Sequence, residues 1–325
     1  MTTFKEIRGT AVQSVSSDPS NPEIGQIWYN NSIGVLKGYI SLGAVWASGG
    51  NLGTARRTPA GAGTQTAGLA IGGYTTTWVA NTEEYDGSAW TAGGSLSTAR
   101  YVLGGCGTQT AGLAFGGYNG TQITNTEEYD GSAWTNGGSL ATARFGLAGA
   151  GTQTAGLAFG GQVDPPVTQN ATEEYDGSAW TGGGNISTAR RYLGGCGTQT
   201  AGLAFAGRTS ANASSTATEE YDGSAWTGGG NMNTARYYLG NAGTQTAGLG
   251  FGGYTGTVRT GATEEYNGTS WTASTAMTTV RSDLGGAGTQ PAGLGFGGTT
   301  GSVSAATEEY VDPTFATQTI TTSTT

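Results

Sequence analysis

The sequence predicts an all-β protein, and three observations carry this prediction. Glycine accounts for 62 of the 325 residues, whereas charged residues make up only 11%. No stretch shows a sustained apolar period of 3.6 residues, so no α-helix is expected. One segment recurs six times, and each copy contains four short strand patterns separated by turn residues. Four strands in each of six repeats predict a six-bladed β-propeller.

An arginine that ends a Thr-Ala-Arg or Thr-Val-Arg segment marks each repeat, and we number the repeats one to six from these arginines. They are spaced by 44, 44, 46, 46 and 45 residues: Arg56, Arg100, Arg144, Arg190, Arg236 and Arg281. A tryptophan lies ten residues before each arginine, and a glutamine lies nine residues after it. All length variation therefore falls between the glycine pair after the glutamine and the Thr-Glu-Glu-Tyr segment before the tryptophan.

Repeat two illustrates the strands of one blade. We predict strand a over Arg100–Cys106, strand b over Ala111–Phe115, strand c over Thr126–Tyr129 and strand d over Ser132–Thr135. Gly-Thr-Gln-Thr turns the chain between strands a and b. Asp130-Gly131 fits a two-residue hairpin turn between strands c and d, because both residue types tolerate a positive φ.

The two ends of the repeat region complete each other. Trp46–Arg56 has no strands a to c before it, whereas repeat six ends at Tyr310 without a following tryptophan. We therefore expect Gly43–Ala47 to form strand d of the sixth blade, beside Thr307–Tyr310. This closure leaves no long free sheet edge.

The sequence divides into three regions. Residues 1–39 are not a repeat, and Gln26–Tyr29 with Val35–Tyr39 predict a short β-hairpin module. Residues 40–312 form the propeller. Residues 313–325 are a threonine-rich tail, for which a loose end and a docking strand are the two interpretations.

Several repeated side chains are predicted to be structural. The tryptophans fit packing between blades, since a buried aromatic ring removes a large apolar area from water. Each repeat also contains a Glu-Glu pair. Adjacent strand residues point to opposite sides, so the two carboxylates cannot act on one bond. We predict that one glutamate of strand c pairs with the repeat arginine.

Two further positions have both a functional and a structural interpretation. Aspartates precede glycine in four c–d turns, which allows a Ca²⁺ site, but Asn267 replaces aspartate in repeat five and favours turn chemistry. Cys106 and Cys196 share a position at which the other repeats have alanine. We therefore expect both thiols to be buried, unreactive and not joined by a disulfide.

The composition excludes several functions. The chain has no histidine, which rules out histidine metal ligands and a histidine general base. Two cysteines cannot form a structural zinc site. A net charge of −9 with only two lysines argues against nucleic-acid binding. The chain has no run of 18 apolar residues, so membrane insertion is not expected. The first residues also lack the apolar core of a secretory signal. No cofactor is expected.

Two regions differ between the repeats. One is the b–c loop, with lengths of 8, 8, 10, 10, 9 and 8 residues, and the other is the pair of residues after each repeat arginine. The b–c and d–a connections of a four-stranded blade leave on the same side, so both regions converge on one face at the mouth of the central channel. A constant scaffold with one varied face is typical of recognition loops. Drift of exposed loops is the alternative, but the c–d turns are copied and do not drift.

The varied face is rich in tyrosine, threonine, serine and asparagine, with a few arginines. Aromatic rings with polar edges suit sugars, which have C–H faces and hydroxyl rims. We predict the following ligand-binding residues, and no catalytic or metal-binding residue: Arg57, Trp78, Tyr101, Gln122, Phe145, Arg191, Tyr192, Arg208, Tyr237, Tyr238 and Arg259.

The repeated Gly-Gly, Tyr, Trp and Arg resemble the kelch family of β-propellers over about residues 40–312. Kelch repeats are similar in having a double glycine after strand b, a tyrosine in strand c and a tryptophan in strand d. The chain departs from them in two ways. Tyr129 and Trp134 are closer together than in kelch repeats, and Ala206-Gly207 replaces the double glycine in repeat four.

The segment from Pro22 to Asn31, PEIGQIWYNN, is followed by GVLKGY from Gly34 to Tyr39. Together they resemble a short module of bacteriophage tail-fibre and other virion appendage proteins. Near-identical glycine-rich blades behind such a module are similar to phage structural proteins. The resemblance implies a virion protein on the particle exterior, in multiple copies, with residues 1–39 attached to other virion proteins.

We expect a non-enzymatic virion protein, a tail-fibre tip or a capsid or tail decoration protein, which adheres to glycans of the host cell surface. The first alternative is a decoration protein that stabilises the particle and has no external ligand. The second is a glycan-acting enzyme. Copper oxidases built on propellers need histidine ligands, and a sialidase needs clustered arginines, whereas the repeat arginines are spread one per blade.

Overall fold

The prediction of an all-β propeller without helices is confirmed. A computed structural model describes residues 12–164 and 166–320, with only the backbone for residues 314–316. These residues form thirty strands and no helix. Accordingly, no helix among them is long and apolar enough to cross a membrane.

Five sheets have four antiparallel strands each, one sheet for each of repeats one to five. Their strands are β4 (Ala60–Thr64), β5 (Ala67–Ile71), β6 (Thr82–Tyr85) and β7 (Trp90–Ala92); β8 (Gly104–Thr108), β9 (Ala111–Phe115), β10 (Thr126–Tyr129) and β11 (Trp134–Asn136); β12 (Ala148–Thr152), β13 (Ala155–Phe159), β16 (Thr172–Tyr175) and β17 (Trp180–Gly182); β19 (Gly194–Thr198), β20 (Ala201–Phe205), β22 (Thr218–Tyr221) and β23 (Trp226–Gly228); β24 (Gly240–Thr244), β25 (Ala247–Phe251), β26 (Thr263–Tyr266) and β27 (Trp271–Ser274).

A further sheet has six strands in the order β1 (Gln13–Val15), β2 (Ile27–Asn30), β3 (Val35–Ser48), β30 (Thr307–Thr319), β29 (Ala292–Phe296) and β28 (Gly285–Gly288). Two pairs of short strands complete the described structure: β14 (Gln162–Val163) with β15 (Val167–Thr168), and β18 (Arg190–Arg191) with β21 (Arg208–Thr209). The predicted tail thus contains strand residues as far as Thr319, and residues 321–325 lie outside the described residues.

The chain forms two compact units, Met1–Val45 with Asp312–Thr325, and Trp46–Val311. In the first unit, β1 runs parallel to β2, and β2 pairs antiparallel with β3. Trp28 is fully buried there, and its indole N–H donates to Asp18 Oδ1 over 3.0 Å. Lys37 Nζ lies 2.5 Å from Asp18 Oδ2. Because of these partners, the pKa of Asp18 is lowered to about 2.

In the unit Trp46–Val311, the apolar core lies between neighbouring sheets. One cluster joins Leu69 and Ile71 of repeat one to Ala114 and Tyr129 of repeat two. The predicted packing of tryptophan between repeats is confirmed. The ring of Trp180 lies 4.9 Å from that of Phe115, and its N–H donates to Thr126 Oγ1 over 2.9 Å. The other five tryptophans make the same bond to a threonine of a neighbouring repeat: Trp46, Trp90, Trp134, Trp226 and Trp271.

The two glutamates of each Glu-Glu pair have different partners. The first forms a buried ion pair with the repeat arginine, as predicted. The Nη2–Oε1 distance is 2.7–3.2 Å in repeats two to six, and Arg56 pairs with Glu83 in repeat one. The second glutamate accepts a hydrogen bond from a tyrosine of the next repeat, for example from Tyr129 Oη to Glu84 Oε1 over 2.5 Å. The pair therefore joins one repeat internally and ties it to its neighbour.

Two sequence predictions for repeat two are wrong. Strand a begins at Gly104 rather than Arg100, because Val102 has a left-handed conformation with a φ of 48° that no strand accommodates. The c–d turn has four residues, Asp130–Ala133, and strand d begins at Trp134. Asp130 Oδ1 accepts bonds from the backbone N–H groups of Ser132 and Ala133, both over 2.8 Å, and these fix the longer turn.

Strands a surround a central channel, and glycine occupies one level of this channel in every repeat except repeat five. A Cβ atom on Gly61 would lie 2.1 Å from the carbonyl oxygen of Gly286. Two cavities of about 100 and 120 Å³ follow the channel on either side of this level. Asn241 replaces glycine in repeat five, and its Nδ2 donates to the Gly195 carbonyl over 2.6 Å.

Candidate functional site at the loop face

The two varied regions of the sequence meet at one end of the sheets. Strands b and c are antiparallel, so the b–c loop and the c–d turn lie at opposite ends of strand c. Arg57, which follows the first repeat arginine, exchanges two backbone hydrogen bonds of 2.9 Å with Tyr74 of the b–c loop. We call this end of the sheets, with the b–c loops and the residues after the repeat arginines, the loop face. The opposite end, with the a–b and c–d turns, is the turn face.

The same backbone pairing recurs in the other repeats. It joins the residue after the repeat arginine to the residue after the glycine pair: Tyr101 to Tyr118, Phe145 to Gln162, Arg191 to Arg208, Tyr237 to Tyr254, and Ser282 to Thr299. The same bridge therefore holds each b–c loop to the segment that leads into strand a. Only the side chains and the tips of the loops vary between the repeats.

A ring of backbone hydrogen bonds surrounds the mouth of the channel at the loop face. In each repeat the second residue after the arginine donates its N–H to the corresponding carbonyl of the preceding repeat, over 2.6–3.3 Å. The bond from Thr58 N to Asp283 O, at 2.6 Å, joins repeat one to repeat six. The ring consists of Thr58, Val102, Gly146, Tyr192, Tyr238 and Asp283.

All six ring residues have a positive φ, between 48° and 65°. Such a conformation is a clear outlier for the β-branched residues Thr58 and Val102. Backbone strain of this kind persists only where the surroundings enforce it, and it is common at functional sites. The sequence marked these positions as varied, but nothing in the residue types indicated their conformation.

A continuous row of aromatic rings crosses the loop face. Neighbouring ring centroids are 4.1–6.4 Å apart along Tyr74, Tyr101, Tyr118, Phe145, Tyr192, Tyr237, Tyr238 and Tyr254. Trp78 lies beside the row, 6.3 Å from Tyr118. Repeat six interrupts it with Ser282 and Thr299. The aromatic surface is therefore a crescent with one polar gap.

Three arginines lie against this row. The guanidinium carbon is 4.9 Å from the ring centre of Tyr74 for Arg57, 5.3 Å from that of Tyr237 for Arg208, and 5.7 Å from that of Tyr192 for Arg191. Such stacking fixes the orientation of the planar guanidinium group.

The eleven predicted ligand-binding residues all belong to the loop face, with different exposure. Trp78 is 39% exposed, whereas Arg191 and Tyr237 are buried, each 7% exposed. Arg191 donates to Thr168 Oγ1 over 2.8 Å and to Asn212 Oδ1 over 2.5 Å, so its buried terminal nitrogens have hydrogen-bond partners. The remaining eight are half-buried: Arg57, Tyr101, Gln122, Phe145, Tyr192, Arg208, Tyr238 and Arg259. Arg191 and Tyr237 thus support the surface from beneath.

Burial perturbs the titratable groups at the channel mouth. It raises the pKa of Tyr238 well above its usual value, with a further contribution from Tyr192, and it raises the pKa of Tyr101. Burial also raises the pKa of Asp283. A hydrogen bond from Ser282 and the charges of Arg57 and Arg259 lower this pKa, but burial has the larger effect. Asp283 Oδ2 accepts the Ser282 hydroxyl over 2.6 Å. These groups hold protons more tightly than they would in water.

The turn face shows turn chemistry at the repeated aspartates. Asp86, Asp130, Asp176 and Asp222 each accept bonds from two following backbone N–H groups, and these bonds lower their pKa values. Asn267 accepts the same pair of bonds, over 3.0 and 2.9 Å. Among residues 12–164 and 166–320, no three Asp, Glu or Cys side chains are grouped to hold a metal ion.

Both cysteines are buried and free of disulfide bonds, as predicted. Burial raises the pKa of each thiol to about 12.

In comparisons with known proteins, no family model and no curated protein matched this chain.

Proposed function

We propose that the protein is a non-enzymatic bacteriophage virion protein, a tail-fibre tip or a capsid or tail decoration, whose loop face binds carbohydrate on the surface of the host cell. The observation that carries this proposal is the continuous aromatic row between Tyr74 and Tyr254. Tyrosine and tryptophan offer flat apolar surfaces with polar edges. A sugar ring can lie on such a surface while its hydroxyl groups bond at the rim.

The propeller in this proposal has six kelch-like blades, and β28, β29, β30 and the end of β3 form the sixth. Contacts between repeats one and six support this count. Tyr85 Oη donates to Glu309 over 2.5 Å, and Trp90 Nε1 donates to Thr307 Oγ1 over 2.9 Å. These two bonds recur between other neighbouring repeats. Gly49 N also donates to the Thr307 carbonyl over 3.0 Å, as Gly93 N does to Thr82 within repeat one, which supports the place of the end of β3 in the sixth blade.

The virion assignment is supported by the sequence of residues 22–39, which resembles an appendage module. In this proposal the hairpin of β2 and β3 belongs to that module, and residues 1–39 attach the protein to other virion proteins. Several copies on one particle would combine weak sites and raise the apparent affinity by about 10²–10⁴-fold.

The partners of the six Glu-Glu pairs support the non-enzymatic part of the proposal. Paired carboxylates are the usual machinery for cleaving glycosidic bonds. Here, however, the six Glu-Glu pairs are occupied by the repeat arginines and by tyrosines of the neighbouring repeats. The carboxylates are thus committed to the fold rather than turned to the loop face.

Adhesion of fluorescent protein to bacterial cells, with glycan-stripped cells for comparison, tests this function. We expect Tyr101→Ala and Trp78→Ala each to weaken adhesion about tenfold, since each removes one apolar contact surface. Tyr29→Ala is the matched control, because Tyr29 is exposed to a similar degree, 41%, and lies in the other unit. Unchanged adhesion in both loop-face variants would contradict the proposal. Burial of the loop face in imaged particles would instead favour a decoration protein without an external ligand.

A further inference from the structure

The positive charges of the protein are unevenly distributed. The unit Trp46–Val311 contains ten arginines and no lysine. Six of the arginines are the repeat arginines, each neutralised by a buried glutamate. The other four all belong to the loop face: Arg57, Arg191, Arg208 and Arg259. Within this unit, every arginine that is not paired with a framework glutamate is therefore on one face.

Among the described residues, no carboxylate oxygen lies within 4.0 Å of these four arginines, although the charges of Arg57 and Arg259 act on Asp283 from a greater distance. Within the described part of the chain, the ion pairs shorter than 4.0 Å are the six framework pairs and Lys37–Asp18. The loop face has only two carboxylates, Asp164 and Asp283, so four positive and two negative charges leave it at +2. The c–d turns of the turn face have four aspartates and no cation, which gives −4. In a protein with a net charge of −9, the loop face is thus of opposite sign.

The positions of these arginines suit an anionic ligand. Arg57 and Arg208 stack on tyrosine rings, and Arg208 uses only its Nε, which donates to the Asn212 carbonyl over 3.2 Å, so the terminal nitrogens of both groups remain for a ligand. Arg191 is buried and donates to Thr168 and Asn212, so it supports the loop face rather than meeting a ligand. A planar guanidinium group matches the two oxygens of a carboxylate or a phosphate.

We propose that the loop face binds an anionic polysaccharide, with sugar rings on the aromatic row and acidic groups against Arg57, Arg208 and Arg259. This inference rests on the carbohydrate binding proposed above and specifies the charge of the glycan. The net negative charge elsewhere on the protein repels such a polymer, so that it approaches by the loop face.

An array of neutral and acidic glycans, probed with the full chain, tests the inference. We expect the bound glycans to contain carboxylate, phosphate or sulfate groups. For carboxylated ligands, chemical reduction of the carboxyl groups to alcohols should abolish binding. Raising the salt concentration to about 1 M, where charges are screened within about 3 Å, should weaken binding at least about tenfold.

Variants identify the face that is responsible. We expect Arg208→Gln and Arg259→Gln each to reduce affinity for the acidic glycan about tenfold, since a hydrogen bond to a charged group is lost. Asp176→Asn, which changes the charge of the turn face by the same amount, should leave affinity unchanged. Binding restricted to neutral glycans, or unaffected by carboxyl reduction and salt, would overturn the inference and leave the proposed function intact. The absence of binding to any glycan would overturn the proposed function as well.

Discussion

Replacing Glu173 by glutamine removes one negative charge from a buried ion pair and keeps the shape of the side chain. Arg144, its partner, is fully buried, and Nη2 lies 2.9 Å from Glu173 Oε1. Glu173 Oε2 also accepts the backbone N–H of Ala141 over 2.7 Å. The substitution therefore tests how much one framework pair contributes to folding.

The expected loss of stability is about 3 kcal/mol. Leaving a buried charge without its partner costs about 3–5 kcal/mol. The lower end applies here, because Nη1 of Arg144 still donates to the carbonyls of Gly160 and Ala171, over 3.1 and 2.6 Å. Burial lowers the pKa of Arg144, yet an arginine remains protonated at neutral pH and stays charged in the variant.

Urea unfolding followed by both circular dichroism and fluorescence measures this loss. Asp176→Asn is the control, since Asn267 makes the same turn bonds in repeat five. We expect the control to unfold within about 0.5 kcal/mol of the wild type. The double variant Arg144→Met/Glu173→Gln should recover part of the loss, because the unpaired charge is gone. A cost below about 1 kcal/mol for Glu173→Gln would refute this account of the framework.

Three further predictions concern other parts of the fold. Gly61→Ala should destabilise the protein by about 1–3 kcal/mol or prevent folding, because the added Cβ would lie 2.1 Å from the Gly286 carbonyl oxygen. Gly182→Ala is the control and should be tolerated, because no atom lies within 4 Å of its added Cβ. Thermal unfolding measures the stability of both variants. Cys106 and Cys196, with pKa values of about 12, should not react with a disulfide reagent at neutral pH until denaturant is added, and fast reaction of the native protein would contradict their burial. The pKa of Asp18 is lowered from 3.8 to about 2, so its contribution to stability is complete above pH 3.8 and is lost as the pH falls through about 2. The NMR signal of the Trp28 indole should therefore shift near pH 2, and a midpoint near 3.8 would be inconsistent with the Asp18 contacts.

The features that the sequence predicted correctly are those for which the repeat supplies redundancy. Six copies of a Glu-Glu pair beside six arginines identified the ion pair, because adjacent strand residues must face opposite sides. The tryptophans and cysteines were assigned by the same comparison between repeats. In each case, the residue types found at one position across the six repeats indicated the role of that position.

The two features that were missed have different causes, one in contacts between repeats and one in local side-chain hydrogen bonds. The left-handed residues at the channel mouth include threonine and valine, which disfavour that conformation. Their hydrogen bonds to the preceding repeat hold them there, and no local pattern encodes those bonds. The four-residue c–d turn was misjudged because Asp-Gly fits several turns, and the hydrogen bonds of the aspartate side chain select one.

The charge of the loop face could have been recognised in the sequence. Once the repeat arginines are assigned to the framework, the remaining four arginines between residues 46 and 311 all fall in the varied segments. Their stacking on tyrosines could not be anticipated, since it depends on how the b–c loops fold back onto the residues that precede strand a.

Hydrogen–deuterium exchange in the presence of a bound acidic oligosaccharide tests most directly where the ligand lies. We expect the backbone amides of residues 74–81 and 118–125 to exchange more slowly in the complex. Peptides that contain Asp130 at the turn face should be unchanged. Protection confined to the turn face or to residues 13–45 would contradict recognition by the loop face.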